Sequence, residues 1–288
     1  MPLAVVHKSG SDSQLPEFPY EGSKWPVRGL CEGDLCMIVA EVPSDVVDPL
    51  FALPEQPTTA RVSETAALAA QSATADADAR PGDLGRRRLE LAFAEFLVRI
   101  NGQHDALLPM TFGMLADEGE LRAEVASDAA VLGDLLARFE AKDEVVVSAT
   151  ADMQGCLAAV VAAEPKLKSL AARADVAQGL RRQQMQMSVG ESASQGLAGL
   201  LDRDAALVQA RLSPLSADHA QLYVAPATRF EAQFVAFRHS FLVPRKNLDQ
   251  FNAAVVELGR SLEGRATLAT SEPIPPFSYM PAKVGGRS

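Results

Sequence analysis

The chain has 288 residues, with 37 acidic and 27 basic side chains and a formal net charge of −10 at pH 7. This negative charge disfavours binding to nucleic acid or anionic lipid, because both present negative phosphates. Apolar residues make up 48% and charged residues 22%, which is typical of a globular protein long enough for two domains. No apolar run approaches the ~20 residues of a membrane span. The first residues lack the features of a signal peptide, so we expect a cytoplasmic protein.

The N-terminal half, residues 1–143, predicts a small α+β domain that opens with a strand at residues 3–7. Residues 8–26 are rich in Ser, Gly and Pro, which favours a long loop. Residues 27–31 and 35–42 then predict a hairpin whose second strand is apolar on both faces.

The middle of this half predicts helices. Residues 63–83 are rich in Ala, Asp and Ser and predict a mobile insertion or a weak, exposed helix. Residues 86–100 show helical apolar spacing, and Asp117 with Glu120 predicts a capping box that starts a further helix. Between these helices, residues 107–114 predict a short strand or turn. The buried face of the second helix should consist of Leu121, Val125, Ala129, Leu132, Leu136 and Phe139.

The three cysteines, Cys31, Cys36 and Cys156, form no Cys-x-x-Cys pair and have no histidine at metal-ligand spacing. We therefore expect no metal site. A reducing cytoplasm favours buried thiols, although Cys31 and Cys36 could also face one another across the predicted hairpin.

The second half, residues 144–271, predicts the order β, helices, β, β, α, β, which is that of a ferredoxin-like βαββαβ fold enlarged by extra helices. The extra helices fill about residues 152–212, with breaks at Pro165 and near Gly190 and Gly196. Asn247 is expected to cap the last helix. The predicted strands cover residues 144–150, 222–224, 234–243 and 265–270.

No nucleotide-binding, hydrolase or zinc-protease signature occurs, so we expect no catalytic residue and no cofactor. The histidines, His7, His104, His219 and His239, are scattered singly and are expected on the surface or on strand faces. The three residues from Asp202 to Asp204 predict a charged helix face. Met185 and Met187, interleaved with glutamines, suit an adaptable contact surface, although packing of a marginal helix explains them equally well.

The C-terminal tail, residues 272–288, carries Pro273, Pro275 and Pro276 in four positions, followed by Phe277 and Tyr279. Prolines fix φ and remove backbone donors, so the segment cannot be a helix or a central strand. We expect an extended strip that presents both aromatic rings on one side. Such a strip could bind a partner, join the two domains, or merely finish the second domain.

Four segments together resemble the GvpL/GvpF family of gas-vesicle proteins. Residues 273–279 are similar to the family's Pro-Trp-Pro-Pro-Tyr-Ser-Phe ending, and residues 240–245 to its Ala-Phe-Leu-Val-x-Arg strand end. Residues 108–113 are similar to its Leu-Pro-Met-Arg-Phe-Gly turn, and residues 29–42 to its early hairpin. The departures are Thr111 for a basic residue, Ile274 for tryptophan, and a longer N-terminal loop.

This resemblance implies a C-terminal ferredoxin-like domain enlarged by helices and a tail that docks between the domains. It implies a non-enzymatic accessory protein that binds the hydrophobic shell subunit and other gas vesicle proteins during nucleation or growth. Whether the protein stays in the mature vesicle as a minor component is left open. The alternatives are a small-ligand-binding or enzymatic ferredoxin-like domain, with a pocket at Arg238 or His239, and a general chaperone.

Overall fold

The computed structural model describes residues 1–8, 15–43, 46, 81–224 and 232–281, and these form a mixed α/β protein with antiparallel sheets. The chain divides into two compact units. The first comprises Met1–Val145 and Ser271–Ser288, and the second comprises Val146–Thr270. Most of the predicted insertion, residues 63–80, lies outside the described residues, and residues 81–83 belong to a helix.

The first unit contains a sheet with strand order β4-β5-β1-β6 and a separate ribbon of β2 and β3. The predicted hairpin is confirmed as β4 and β5, and every residue of β5 is buried, as its apolar faces predicted. The strands are β1 Pro2–His7, β2 Phe18–Tyr20, β3 Ser23–Trp25, β4 Val27–Glu32, β5 Leu35–Ala40 and β6 Leu108–Pro109.

The ribbon of β2 and β3 corrects the prediction of a continuous loop over residues 8–26. Phe18 stacks on Trp25 with ring centroids 5.4 Å apart, and Tyr20 lies 5.2 Å from the same indole. All three rings are buried, and Phe18 also contacts Phe96. The many Ser, Gly and Pro residues of the segment favoured a loop, so its aromatic residues were not predicted to form strands. Burial of the three rings stabilises a two-stranded ribbon that would be weak by itself.

Three helices complete the described part of the first unit: α1 Pro81–Asn101, α2 Glu118–Ser127 and α3 Ala129–Phe139. The capping box is confirmed, because Asp117 Oδ1 accepts from Glu120 N at 2.8 Å and Glu120 Oε2 accepts from Asp117 N at 3.4 Å. The prediction of one helix beyond residue 117 is wrong, since Asp128 with φ −101° and ψ 9° separates α2 from α3. Ala129 is consequently exposed rather than buried.

Cys31 and Cys36 are joined by a disulfide, which corrects the expectation of buried thiols. The two residues are direct partners in the antiparallel register of β4 and β5, and their Cα atoms are 4.0 Å apart. The alternative left open by the sequence, in which they face one another across the hairpin, is the arrangement found.

The second unit contains a sheet with strand order β10-β7-β9-β8. Its strands are β7 Lys142–Asp152, β8 Asp218–Leu222, β9 Gln233–Pro244 and β10 Ala266–Thr270, and its helices are α4 Met153–Ala163, α5 Pro165–Val176, α6 Gly179–Leu212 and α7 Leu248–Ser261. The first residues of β7, up to Val145, count with the first unit. The strand predicted at residues 222–224 lies earlier in the chain, as β8.

The helical breaks are only partly as predicted. Pro165 does start α5, but α6 continues through Gly190 and Gly196, and the second break falls at Ala177 and Gln178. A single glycine costs a helix only ~1 kcal/mol, and tertiary packing can compensate for this. At Gly196 a Cβ would lie 2.6 Å from Val160 Cγ1, so the glycine permits close packing of α4 on α6.

Asn247 was predicted to cap the last helix through its side chain, and this prediction is wrong. Asn247 occupies the N-cap position of α7, but its side chain makes no capping hydrogen bond. Its Nδ2 donates instead to the carbonyl oxygen of Leu215 at 3.1 Å. The side chain therefore ties the start of α7 to the turn before β8.

Candidate functional site

The tail, described to residue 281, counts with the first unit and pairs with the beginning of β7. Among residues 273–276, Ile274 is the one residue that has a backbone N–H, because the other three are prolines. That N–H donates to the carbonyl oxygen of Glu144 at 2.9 Å, and the N–H of Glu144 donates to the carbonyl oxygen of Ile274 at 2.8 Å. The only donor of the proline segment is thus used in an antiparallel bridge.

The carboxylate of Glu144 holds the next turn of the tail. It accepts from Ser278 N at 2.8 Å and from Ser278 Oγ at 2.5 Å. Glu144 is 0% exposed, and burial of a carboxylate is costly unless its oxygens accept hydrogen bonds. Both oxygens of Glu144 accept hydrogen bonds from Ser278, so the carboxylate holds the tail in place.

The predicted extended strip is wrong for the aromatic part of the tail. Phe277–Tyr279 forms a 3₁₀ turn in which the N–H of Tyr279 donates to the carbonyl oxygen of Pro276 at 3.2 Å. Both rings are buried, as are Pro275 and Pro276, whereas Pro273 is exposed. The sequence did not reveal that Ser278, in the middle of this turn, donates hydrogen bonds to the distant carboxylate of Glu144.

A groove of about 490 Å³ lies in the first unit beside the N-terminus of α2. Arg28 bridges Glu41 at 2.7 Å and Glu118 at 2.9 Å, and Arg122 binds Glu118 and Glu32. Hydrogen bonds from Arg28 and Arg122 hold the pKa of Glu118 below its ordinary value. These charges satisfy one another and tie α2 to the hairpin of β4 and β5.

In the second unit the buried carboxylate of Asp204 pairs with the half-buried guanidinium of Arg265. The guanidinium of Arg265 donates from Nε and Nη2 to the two carboxylate oxygens of Asp204, both at 2.9 Å. Asp204 is buried, so the predicted charged helix face does not include it. Nearby, Cys156 Sγ donates to the carbonyl oxygen of Arg265, and burial raises the pKa of the Cys156 thiol. A protonated, buried thiol is a poor nucleophile.

Two of the four histidines are buried; His239 lies on a strand, as the expectation of a strand face allowed, whereas His104 is in neither of the expected places. His104 lies in the turn after α1, and His239 lies on β9 with Phe237 at 5.4 Å between ring centroids. The pKa of His239 is lowered, mainly because the side chain is buried and to a smaller extent because His219 lies nearby. His7 and His219 are exposed. The four histidines do not converge on one site.

The remaining candidate surface lies where α5 turns into α6. Met185 is half-buried, whereas Met187, two residues later in α6, is 66% exposed. These two side chains lie in the second unit, and the tail residues lie in the first. The structure therefore buries four of the five predicted tail residues, leaves Pro273 exposed, and leaves Met187 available for contact.

Comparison with known proteins decides the family. The profile of the family described as "Gas vesicle synthesis protein GvpL/GvpF" matches residues 4–281. The chain belongs to the GvpL/GvpF family. No curated protein sequence matches it.

Crystal structures of two GvpF proteins share the fold of this GvpL/GvpF chain. Gas vesicle protein GvpF from Anabaena sp. PCC7120 is 14% identical with a TM-score of 0.65, and the match covers 98% of each chain. GvpF from Microcystis aeruginosa is 12% identical with a TM-score of 0.54, and the match covers 96% of this chain and 97% of that one. At such low identity the likeness concerns the fold alone.

The described part of this GvpL/GvpF member holds no group of three or more His, Cys, Asp or Glu side chains placed to bind a metal ion. None of the helices in the described ranges has the length and apolar character needed to cross a membrane. Glu144, Ser278 and the Asp204–Arg265 pair are the residues that sequence reasoning missed. Glu144 did carry a signal, since it is a carboxylate at the start of an otherwise β-rich apolar run.

Proposed function

We propose that this protein is a non-enzymatic accessory factor in gas vesicle assembly that binds the hydrophobic shell subunit and other gas vesicle proteins. The observation that supports this most is family membership over residues 4–281. A very hydrophobic subunit must be kept from aggregating before it joins a shell, and binding to an acidic protein would achieve this. The site of action is the cytoplasm, at growing vesicles.

The second unit is proposed to be a ferredoxin-like domain enlarged by helices, starting near residue 144 and ending near 271. Its elements follow the order β7, three helices, β8, β9, α7, β10. The sheet order β10-β7-β9-β8 supports this assignment, since it places the first and third strands of the unit at the centre.

The tail is proposed to act as a latch between the domains through Pro273, Pro275, Pro276, Phe277 and Tyr279. Support comes from β7, whose residues 147–151 pair with β10 of the second unit while Glu144 pairs with Ile274 of the tail. One strand thus receives the end of the second unit and the start of the tail. Two buried aromatic side chains could each add ~1.5–3 kcal/mol from apolar area alone.

Co-expression with the host's small shell subunit tests the assembly role. We expect the tagged full-length chain to retain the shell subunit in a pull-down. A chain ending at Ser271 should lose it, because the binding surface is no longer held together. The variant Phe277→Ala should melt at a lower temperature than Val131→Ala, a control residue that is 52% exposed.

Two outcomes would count against these proposals. No retention by the full-length chain, with the shell subunit soluble and present, would overturn direct binding to the shell subunit. An unchanged melting temperature for the chain ending at Ser271 would overturn the latch and leave the assembly role in place.

A further inference from the structure

Three large apolar side chains are exposed to solvent around the turn between α5 and α6. Val176 is 82% exposed, Leu180 is 78% exposed and Met187 is 66% exposed. Leu180 and Met187 are seven residues apart in α6, so they lie on one side of the helix about 10 Å apart along its axis. The buried side of α6 is formed by other residues, among them Ala193, Leu200 and Val208.

The same region is basic in an otherwise acidic protein. Residues 165–190 contain five basic side chains and the single acidic residue Asp175. All five basic side chains are exposed, and none of them forms an ion pair within the described parts of the chain. They are Lys166, Lys168, Arg173, Arg181 and Arg182. We call this surface, from Lys166 to Met187 on α5 and α6, the basic hairpin surface.

The spacing of the apolar residues favours a helix as the occupant. Side chains at i and i+7 form a straight strip, along which the apolar face of an amphipathic helix can lie. Gln183, Gln184 and Gln186 flank the strip with uncharged polar groups, and the flexible thioether of Met187 adapts to differing side chains.

The charge of the basic hairpin surface favours an acidic occupant. Unpaired arginines and lysines beside an apolar strip complement carboxylates on the polar face of a docked helix. An anionic lipid surface fits less well, because residues 165–190 contain no aromatic side chain and the whole chain carries a net charge of −10.

We propose that the basic hairpin surface binds an acidic amphipathic helix of a protein partner, with Leu180 and Met187 as apolar anchors and the basic side chains around them, Arg181 foremost, as charge partners. This inference rests on the proposed binding function, since it names the partner chemistry for the surface that holds Met187.

A synthetic peptide tests the proposal without any gas vesicle protein. The probe is an amphipathic helix with Leu on one face and Glu on the other, titrated into the full-length chain and followed by fluorescence anisotropy. A second peptide with Lys in place of Glu is the charge control. We expect the Glu peptide to bind at least about tenfold more tightly than the Lys peptide, and its binding should weaken as salt is raised.

Paired variants separate the two contributions. Leu180→Ser with Met187→Ser, and separately Arg181→Glu with Arg182→Glu, should each weaken binding of the Glu peptide about tenfold or more. Matched controls should bind as the unmodified chain does. The apolar control is Val131→Ser with Val256→Ser, which changes two other exposed valines, and the charge control is Arg86→Glu with Arg87→Glu.

All variants change exposed or half-buried side chains, so equal melting temperatures will show that they are folded. Equal binding of both peptides, or no binding of the Glu peptide, would overturn the proposal. Stronger co-sedimentation with phosphatidylserine vesicles than with vesicles of neutral lipid, lost in the arginine variant, would replace it with a membrane contact. Self-association lost in the same variant would assign the surface to a second copy of the chain. A negative peptide result alongside a positive shell-subunit pull-down would leave the assembly role intact.

Discussion

Glu144 and Ser278 are 134 residues apart in the chain, yet Ser278 donates both its backbone N–H and its hydroxyl group to the carboxylate of Glu144. The carboxylate accepts one bond on each oxygen. Because Glu144 is fully buried while the tail is docked, its carboxylate depends on these hydrogen bonds in place of hydration. The tail is therefore held by a polar contact as well as by its apolar rings.

The first prediction concerns this contact. Glu144→Gln should lower the free energy of unfolding by about 1–3 kcal/mol, because an amide offers one acceptor oxygen where two donors are present. Ser278→Ala should cost less, about 1 kcal/mol, since the backbone N–H of residue 278 keeps its acceptor. Urea denaturation measures both. Ser188→Ala, at an exposed position, is the control, and equal stability of Glu144→Gln and the control would contradict the role of the carboxylate.

A second prediction concerns Gly155 in α4. A Cβ at this position would overlap the carbonyl oxygen of Gly264, which is backbone and cannot rotate away. Gly155→Ala should therefore destabilise the protein by about 1–3 kcal/mol. Gly133→Ala in α3, where a Cβ would meet nothing within 4 Å, should stabilise it by about 0.5–1 kcal/mol. Thermal unfolding of the two variants should give shifts of opposite sign, and a shared sign would refute the steric argument.

The third prediction compares two neighbouring aspartates in α6. Asp204→Asn leaves the half-buried guanidinium of Arg265 without its carboxylate and should cost about 3 kcal/mol. Asp202→Asn changes an exposed carboxylate and should have almost no effect. Chemical denaturation distinguishes them. The double variant Asp204→Leu with Arg265→Met should be more stable than Asp204→Asn alone, because it leaves no guanidinium without its carboxylate.

The fourth prediction is a dependence of stability on pH that originates at His239. Burial lowers the pKa of His239 in the folded state, so the unfolded chain binds a proton at a pH where the folded chain does not. The contribution of the neutral His239 to the free energy of unfolding should therefore be fully present above the ordinary histidine pKa of about 6.5, and it should be lost as the pH drops below that value.

Urea midpoints at pH 7.5 and pH 5.5 measure this loss in the unmodified chain, to which the buried N-terminal amine of Met1, whose pKa is lowered to about 6, adds a loss of the same sign. His239→Phe should show a smaller loss, because phenylalanine does not bind a proton. The variant should still fold, since the ring of His239 already packs beside Phe237 and Phe241. His7→Ala, at an exposed position, should keep the full loss. An equal loss in all three proteins would exclude His239 as the source.

Local patterns in the sequence predicted local structure well. The hairpin of β4 and β5 and the capping box at Asp117 depend on residues within a few positions of one another, and both are confirmed. Tertiary partners could not be predicted in this way. Asp202 and Asp204 look alike in sequence, but only Asp204 meets Arg265, which lies 61 residues later. Likewise, nothing near Ser278 identifies Glu144 as its acceptor.

The first unit is discontinuous in sequence, since Met1–Val145 is completed by residues after Thr270. Ribosomes make chains from the N-terminus, so the whole of Val146–Thr270 is synthesised before Ile274 and Ser278 exist. Until then Glu144 has neither its backbone partner nor its side-chain donor in the tail. An unfinished chain therefore carries an incomplete first unit even when its second unit has folded, and only a fully translated molecule gains both.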